Sequence, residues 1–175
     1  STSSARRSPG SSVSSAPKGT AVSDERNLAV VTGGARGIGE AIVAELVAAN
    51  YRVAVVDVNA KAIARTRDTD FARAGSVVPV ELSITDRAAV ENELSRLAGE
   101  FGPISALVNN AGMTLPATFL DQKDDDWDRI VAVNLTGTFI MAQVAARQMV
   151  DAGSGAIVNI SSVSAHGVRT GPPAY

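Results

Sequence analysis

The 175-residue chain is 45% hydrophobic, enough apolar material for one domain with a substantial core. Its 16 basic and 18 acidic side chains give a formal net charge of −2, which is not the footprint of a nucleic-acid binder; no cysteine and a single histidine exclude disulfides, thiolate metal sites and histidine-rich metal sites. Charges interrupt the hydrophobic segments, so no membrane-spanning stretch of roughly 20 apolar residues is expected, and a cytoplasmic location is the expectation.

Residues 1–27 are rich in Ser, Pro and Gly and lack hydrophobic periodicity. Such a segment buries too little apolar area to offset its ordering entropy, so a flexible tail is expected there. Arg6, Arg7 and Lys18 among the serines give it a faint likeness to an organellar transit peptide, but a bland leader is the preferred reading.

From Leu28 onward, short β-rich runs alternate with helical patterns. Leu28 to Thr32, Arg52 to Asp57, Val77 to Leu82, Ala106 to Asn109 and Ala156 to Ile160 are the predicted strands. Ile38 to Ala49, Ala60 to Ala74, Asp86 to Phe101 and a long apolar stretch from Asp124 to Val150 are the predicted helices. Strands apolar on both faces with helices between them imply a parallel sheet covered on both sides, that is, a doubly wound Rossmann-like α/β/α domain over residues 28–175.

The first strand runs straight into Thr32 Gly33 Gly34 Ala35 Arg36 Gly37 Ile38 Gly39 and then a helix. Glycines at a strand-to-helix turn permit positive φ and close backbone approach, and the helix start attracts an anion, so this loop suits a dinucleotide pyrophosphate. Gly33, Gly37 and Gly39 are the residues expected to do this. Asp57 closes the second strand 18 positions after Gly39, where a carboxylate accepts hydrogen bonds from adenosine ribose hydroxyls and repels a 2′-phosphate. NAD is therefore preferred, with NADP possible; helix capping is the alternative role for Asp57. Ser83 is read equally as an adenine contact or a turn residue, with Asp86 capping the next helix. Asn134 lies within the long predicted helix, an awkward place for a side chain that competes for backbone hydrogen bonds.

The glycine loop, Asn109 Asn110 Ala111 Gly112 after the fourth strand, and Ser162 thirteen positions before Tyr175 together resemble the short-chain dehydrogenase/reductase family. The resemblance covers Leu28 to Tyr175. It implies hydride transfer between NAD(P) and a secondary alcohol or ketone, including reactions of the 3-oxoacyl-thioester reductase type. It makes Tyr175 the acid/base, Ser162 the partner of the substrate oxygen, and Asn134 a helix-distorting residue that helps hold a water in a proton relay. Arg36, Ile38, Asn109, Ala111 and Gly112 would border the nucleotide, and a basic residue at the position of Arg36 often accompanies NADP. The family's Tyr-x-x-x-Lys lysine would fall four residues past Tyr175, beyond the sequence given, so the chain is expected to be a fragment of a homo-tetrameric parent. The contrasting class is a non-catalytic nucleotide-binding fragment or sensor. Ser161 and Ser164 lack the spacing of Ser162, His166 is expected to be a solvated loop residue, the acids from Asp121 to Asp128 complement a helix dipole, and Trp127 is expected to anchor the long helix in the core.

Overall fold

A computed structural model describes residues 26–162. Ser164, His166 and Tyr175 lie outside the described residues, as does the stretch 1–25. The elements run β1 (Leu28–Thr32), α1 (Gly37–Ala48), β2 (Arg52–Asp57), α2 (Ala60–Arg67), α3 (Asp70–Arg73), β3 (Val77–Glu81), α4 (Arg87–Phe101), β4 (Ile104–Asn109), α5 (Asp124–Val131), α6 (Thr138–Ala152) and β5 (Ala156–Asn159). All five strands are parallel, in the order β3-β2-β1-β4-β5. This is the doubly wound Rossmann-like fold. Connections wind outward in opposite directions from β1, so the chain switches direction between β1 and β4, the crevice where such sheets hold ligands.

Side-chain alternation splits the core into two layers. Leu28, Val30, Ala54, Val56 and Leu107 face α4 and α6, packing on Leu94, Leu97, Met141 and Val144. Ala29, Val31, Val53, Val55 and Val108 face α1 and α2, packing on Val43 and Ile63. β1 and β2 are buried at every residue, whereas every residue of the edge strand β5 is exposed.

Capping explains where helices begin. The side chains of Asn59, Thr69 and Asp86 accept the backbone N–H groups of Ala62, Ala72 and Ala89, starting α2, α3 and α4. The predicted helix from Ala60 to Ala74 is therefore two helices: Asp68 and Thr69 end one and cap the other. The predicted helix from Asp124 to Val150 is also interrupted, by a π-helical turn over Ala132–Gly137 that contains Asn134. Trp127 is 44% exposed and does not anchor this helix in the core; Ile130, fully buried, does so instead. Within the helical run 124–152 an 18-residue window reaches a mean hydropathy of 1.3, so the run is long and apolar enough to cross a membrane by length and composition alone, which corrects the expectation that charges would prevent this. Residues 130–146 carry no charge because this helix lies over the sheet, where Ile140, Met141, Val144 and Ala145 are buried.

Candidate cofactor and active site

The glycine loop is built by close approach. Gly33, at φ +62°, donates its N–H to the Val56 carbonyl at 2.7 Å, and a Cβ there would come within 2.9 Å of the Ala111 Cα. A Cβ on Gly39 would run into the Gly33 carbonyl and stand 2.6 Å from the Asn110 amide nitrogen. Only glycine fits either position, so the start of α1 lies directly against the backbone of the loop, leaving its first N–H groups to face an anion.

The loop is clasped to the end of β4. The Thr32 hydroxyl, 1% exposed, accepts the backbone N–H groups of Asn110 and Ala111, both at 3.0 Å. The Asn110 amide reaches back to donate to the carbonyls of Thr32 (3.0 Å) and Gly33 (3.1 Å). Sequence reasoning singled out Asn109 and passed over Asn110 and Thr32. The available signal was a lone hydroxyl ending a wholly apolar strand. Asn109 turns the other way: its amide donates to the Asn159 side-chain oxygen on β5 at 2.9 Å, and its own side-chain oxygen is buried without a hydrogen-bond partner.

Asn134 is held by a two-point contact. Its side-chain oxygen accepts the Met113 N–H and its amide donates to the Met113 carbonyl, both at 2.9 Å. The π turn thus aims a polar side chain at the loop after β4, where its groups are satisfied by backbone.

These elements meet around one cleft of about 480 Å³, lined by Ile38 from α1, Asn109 to Thr114 beyond β4, Asn134 and Thr138 from the long helix, and Asn159 to Ser162 beyond β5. Of the expected site residues, Ile38, Asn109, Ala111, Gly112, Asn134 and Ser162 are brought together here. Gly33 and Gly39 form the adjoining loop, and Gly37 takes φ +57° at its turn into α1. Arg36, exposed, borders a second cavity of about 350 Å³ between α1 and α2 that Arg65 also lines. Asp57 is 7% exposed at the end of β2; one carboxylate oxygen accepts the Asn59 N–H at 2.9 Å, a turn contact just before α2. Its second oxygen makes no hydrogen bond within the protein among the described residues and is open to an outside donor. Ser83 is a turn residue, its hydroxyl 2.8 Å from that of Thr85. Ser161, exposed, and Ser162, half-buried, both reach the cleft.

A family model for short chain dehydrogenases matches residues 27–175. The chain belongs to the short chain dehydrogenase family. D-threitol dehydrogenase of Mycolicibacterium smegmatis is 38% identical over 138 residues, covering 79% of this chain and 53% of that protein. A 3-oxoacyl-(acyl-carrier-protein) reductase of Thermotoga maritima is 32% identical over 139 residues, covering 79% of this chain and 56% of its own length. Among solved structures, a short-chain dehydrogenase from Novosphingobium aromaticivorans superimposes with a TM-score of 0.77 at 31% identity, covering 83% of this chain and 56% of that one. The structure of ElxO with NADP bound superimposes at 0.75 with 26% identity, covering 81% and 58%. The chain thus spans a little over half the length of the relatives it matches. Members of this family are oxidoreductases that use NAD(P) on small alcohol or ketone substrates.

Proposed function

We propose that this chain carries the nucleotide-binding half and part of the catalytic apparatus of an NAD(H)-linked oxidoreductase interconverting a small secondary alcohol and its ketone. The observation that carries the reading is the glycine cradle at Gly33 and Gly39, which excludes any side chain and opens beside a cleft holding Asn134 and Ser162. Gly33, Gly37, Gly39 and the first turn of α1 hold the pyrophosphate, and Asp57 accepts from the adenosine ribose through its open oxygen. NAD is the preferred cofactor and NADP the alternative. Ile38, Asn109, Ala111 and Gly112 form the nucleotide's border along the cleft, with Arg36 outside it.

The nicotinamide nucleotide, when bound, supplies or accepts the hydride. The Ser162 hydroxyl donates to the substrate oxygen and fixes it in the cleft. The Tyr175 phenol gives a proton to that oxygen in reduction and takes it back in oxidation. An ordinary phenol titrates near pH 10, so a neighbouring cation is needed to make this exchange efficient at neutral pH; the family's lysine would lie at the fourth position after Tyr175. Asn134 spends both side-chain groups on Met113 and acts as a positioning residue, keeping the π turn and the cleft wall in register.

The names of the two relatives above support a substrate among secondary alcohols and ketones, with 3-oxoacyl thioesters as one such class. A cytoplasmic homo-tetramer is the assembly proposed for the whole protein. The test uses protein made from the native gene. Tyr175→Phe is expected to lower turnover of a secondary-alcohol panel by at least about 100-fold while NADH still binds. Unchanged turnover in that variant sinks the assignment, and absent NADH binding in the unaltered protein sinks the cofactor reading.

A further inference from the structure

At the rim of the cofactor site, β2 and β3 end on two directly opposed acids. Asp57 and Glu81 are partners in the parallel ladder, one strand spacing of about 4.8 Å apart. Ladder partners project to the same face of the sheet, here the face that carries Val53, Val55 and Val77 toward α1 and α2. Like charges placed side by side weaken a sheet, and a neutral or basic residue at position 81 would avoid that cost. No cation relieves it: among the described residues neither acid is ion-paired, although α2 offers Lys61, Arg65 and Arg67. The two acids also differ in situation. Asp57 is buried with one oxygen committed to the Asn59 N–H, whereas Glu81 is exposed.

We infer that Glu81 is a second selecting carboxylate, which works with Asp57 to favour NAD(H) over the 2′-phosphorylated cofactor. The inference rests on the nucleotide reading proposed above and extends it to a residue that makes no contact with the ribose itself. In a doubly wound sheet the adenosine ribose lies at the end of β2. A ribose hydroxyl there donates to Asp57 and is indifferent to Glu81. A 2′-phosphate brings about 1.5 to 2 negative charges to the same spot. Asp57 alone opposes that charge with a single carboxylate, while Arg36 and Arg65 line the adjoining cavity. Glu81 sets a second, exposed carboxylate one strand spacing away, so the two acids together repel a 2′-phosphate more strongly than Asp57 alone.

The experiment measures NADH and NADPH dissociation constants by fluorescence on the full protein from the native gene, for the unaltered protein, Glu81→Gln and Glu81→Lys. Glu81→Gln is expected to shift the NADPH-to-NADH affinity ratio toward NADPH by about three- to tenfold, and Glu81→Lys to shift it further in the same direction. Both shifts should shrink as salt rises from 50 to about 500 mM, since the effect is one of charge. Circular dichroism and the melting temperature verify folding, and either variant alone suffices if the other does not fold. A ratio that stays fixed in folded variants, or affinities for both cofactors that move equally, overturns the role of Glu81. Failure of the unaltered protein to bind either nucleotide overturns the nucleotide reading itself and this inference with it.

Discussion

The seam between β1 and β4 and the seam between β4 and β5 are built from the same kind of strand, yet they are finished differently. At the first seam Thr32, Asn110 and Ala111 close a network of four hydrogen bonds around Gly33, β1 is buried throughout, and β4 is buried or half-buried at every residue. At the second, the ladder runs from Ala106↔Ala156 to Asn109↔Asn159, but every residue of β5 is exposed and Asn109 keeps an unpartnered buried oxygen. The glycine cradle is complete within the described residues, because its groups come from two strand ends and one helix start. Among the described residues the strand leading to Ser162 pairs on one side only, and an unpaired edge leaves it less constrained.

The largest expected effect breaks the first seam. Gly39→Ala drives a methyl group into the Gly33 carbonyl and the Asn110 amide, and rigid backbone cannot yield as a flexible side chain would. A loss of about 3 kcal/mol or more in unfolding free energy is expected, with nucleotide binding abolished, measured by denaturant titration and NADH fluorescence. A variant that binds NADH normally would remove the cradle from the argument.

Thr32→Val comes next. It keeps the shape but deletes the acceptor for the Asn110 and Ala111 N–H groups, at an expected cost of about 2–4 kcal/mol. Thr32→Ser, which keeps the hydroxyl, should recover most of it. If serine and valine destabilise alike, the methyl group rather than the hydrogen bonds holds the seam.

Gly137→Ala probes the π turn, since its new methyl group would overlap the Ile84 side chain, 2.6 Å from Cγ1. A cost of about 1–3 kcal/mol is expected, with Ile84→Val in the same chain returning part of it. A penalty that Ile84→Val leaves unchanged would place the strain in the turn itself.

Much of this was legible in the sequence because the physics is local. β1 and β2 have the predicted bounds, since short β-branched runs bounded by turn residues suit strands buried on both faces. Asp86 caps α4 as its position before an amphipathic stretch implies. The reading was incomplete where the deciding contact is distant in sequence. Asn110 matters through a glycine 77 positions away, and Asn134, inside the π turn, bonds Met113, 21 positions away. Helical periodicity sees neither partner, so it counts residues 124–150 as one helix. Trp127 was misplaced for the converse reason: a large aromatic is an attractive core residue in isolation, but Ile130, three positions on, is the residue that is fully buried.

The smallest stability effect that bears on the comparison comes from two valines facing each other across the second seam. Val108 and Val158 are ladder partners of identical chemistry, yet Val108 is 8% exposed and Val158 is 51% exposed. Truncating Val108 to alanine removes two buried methyl groups and should cost about 1.5–2.5 kcal/mol, whereas the same change at Val158 should cost about 0.5–1 kcal/mol in the 175-residue chain. The difference isolates what covers β5, because the backbone ladder and the side chain removed are the same in both variants. If the two truncations cost the same, β5 is covered in solution, by further chain or by a second copy. Repeating the Val158→Ala measurement at several protein concentrations then separates the two, since only a second copy makes the cost concentration-dependent.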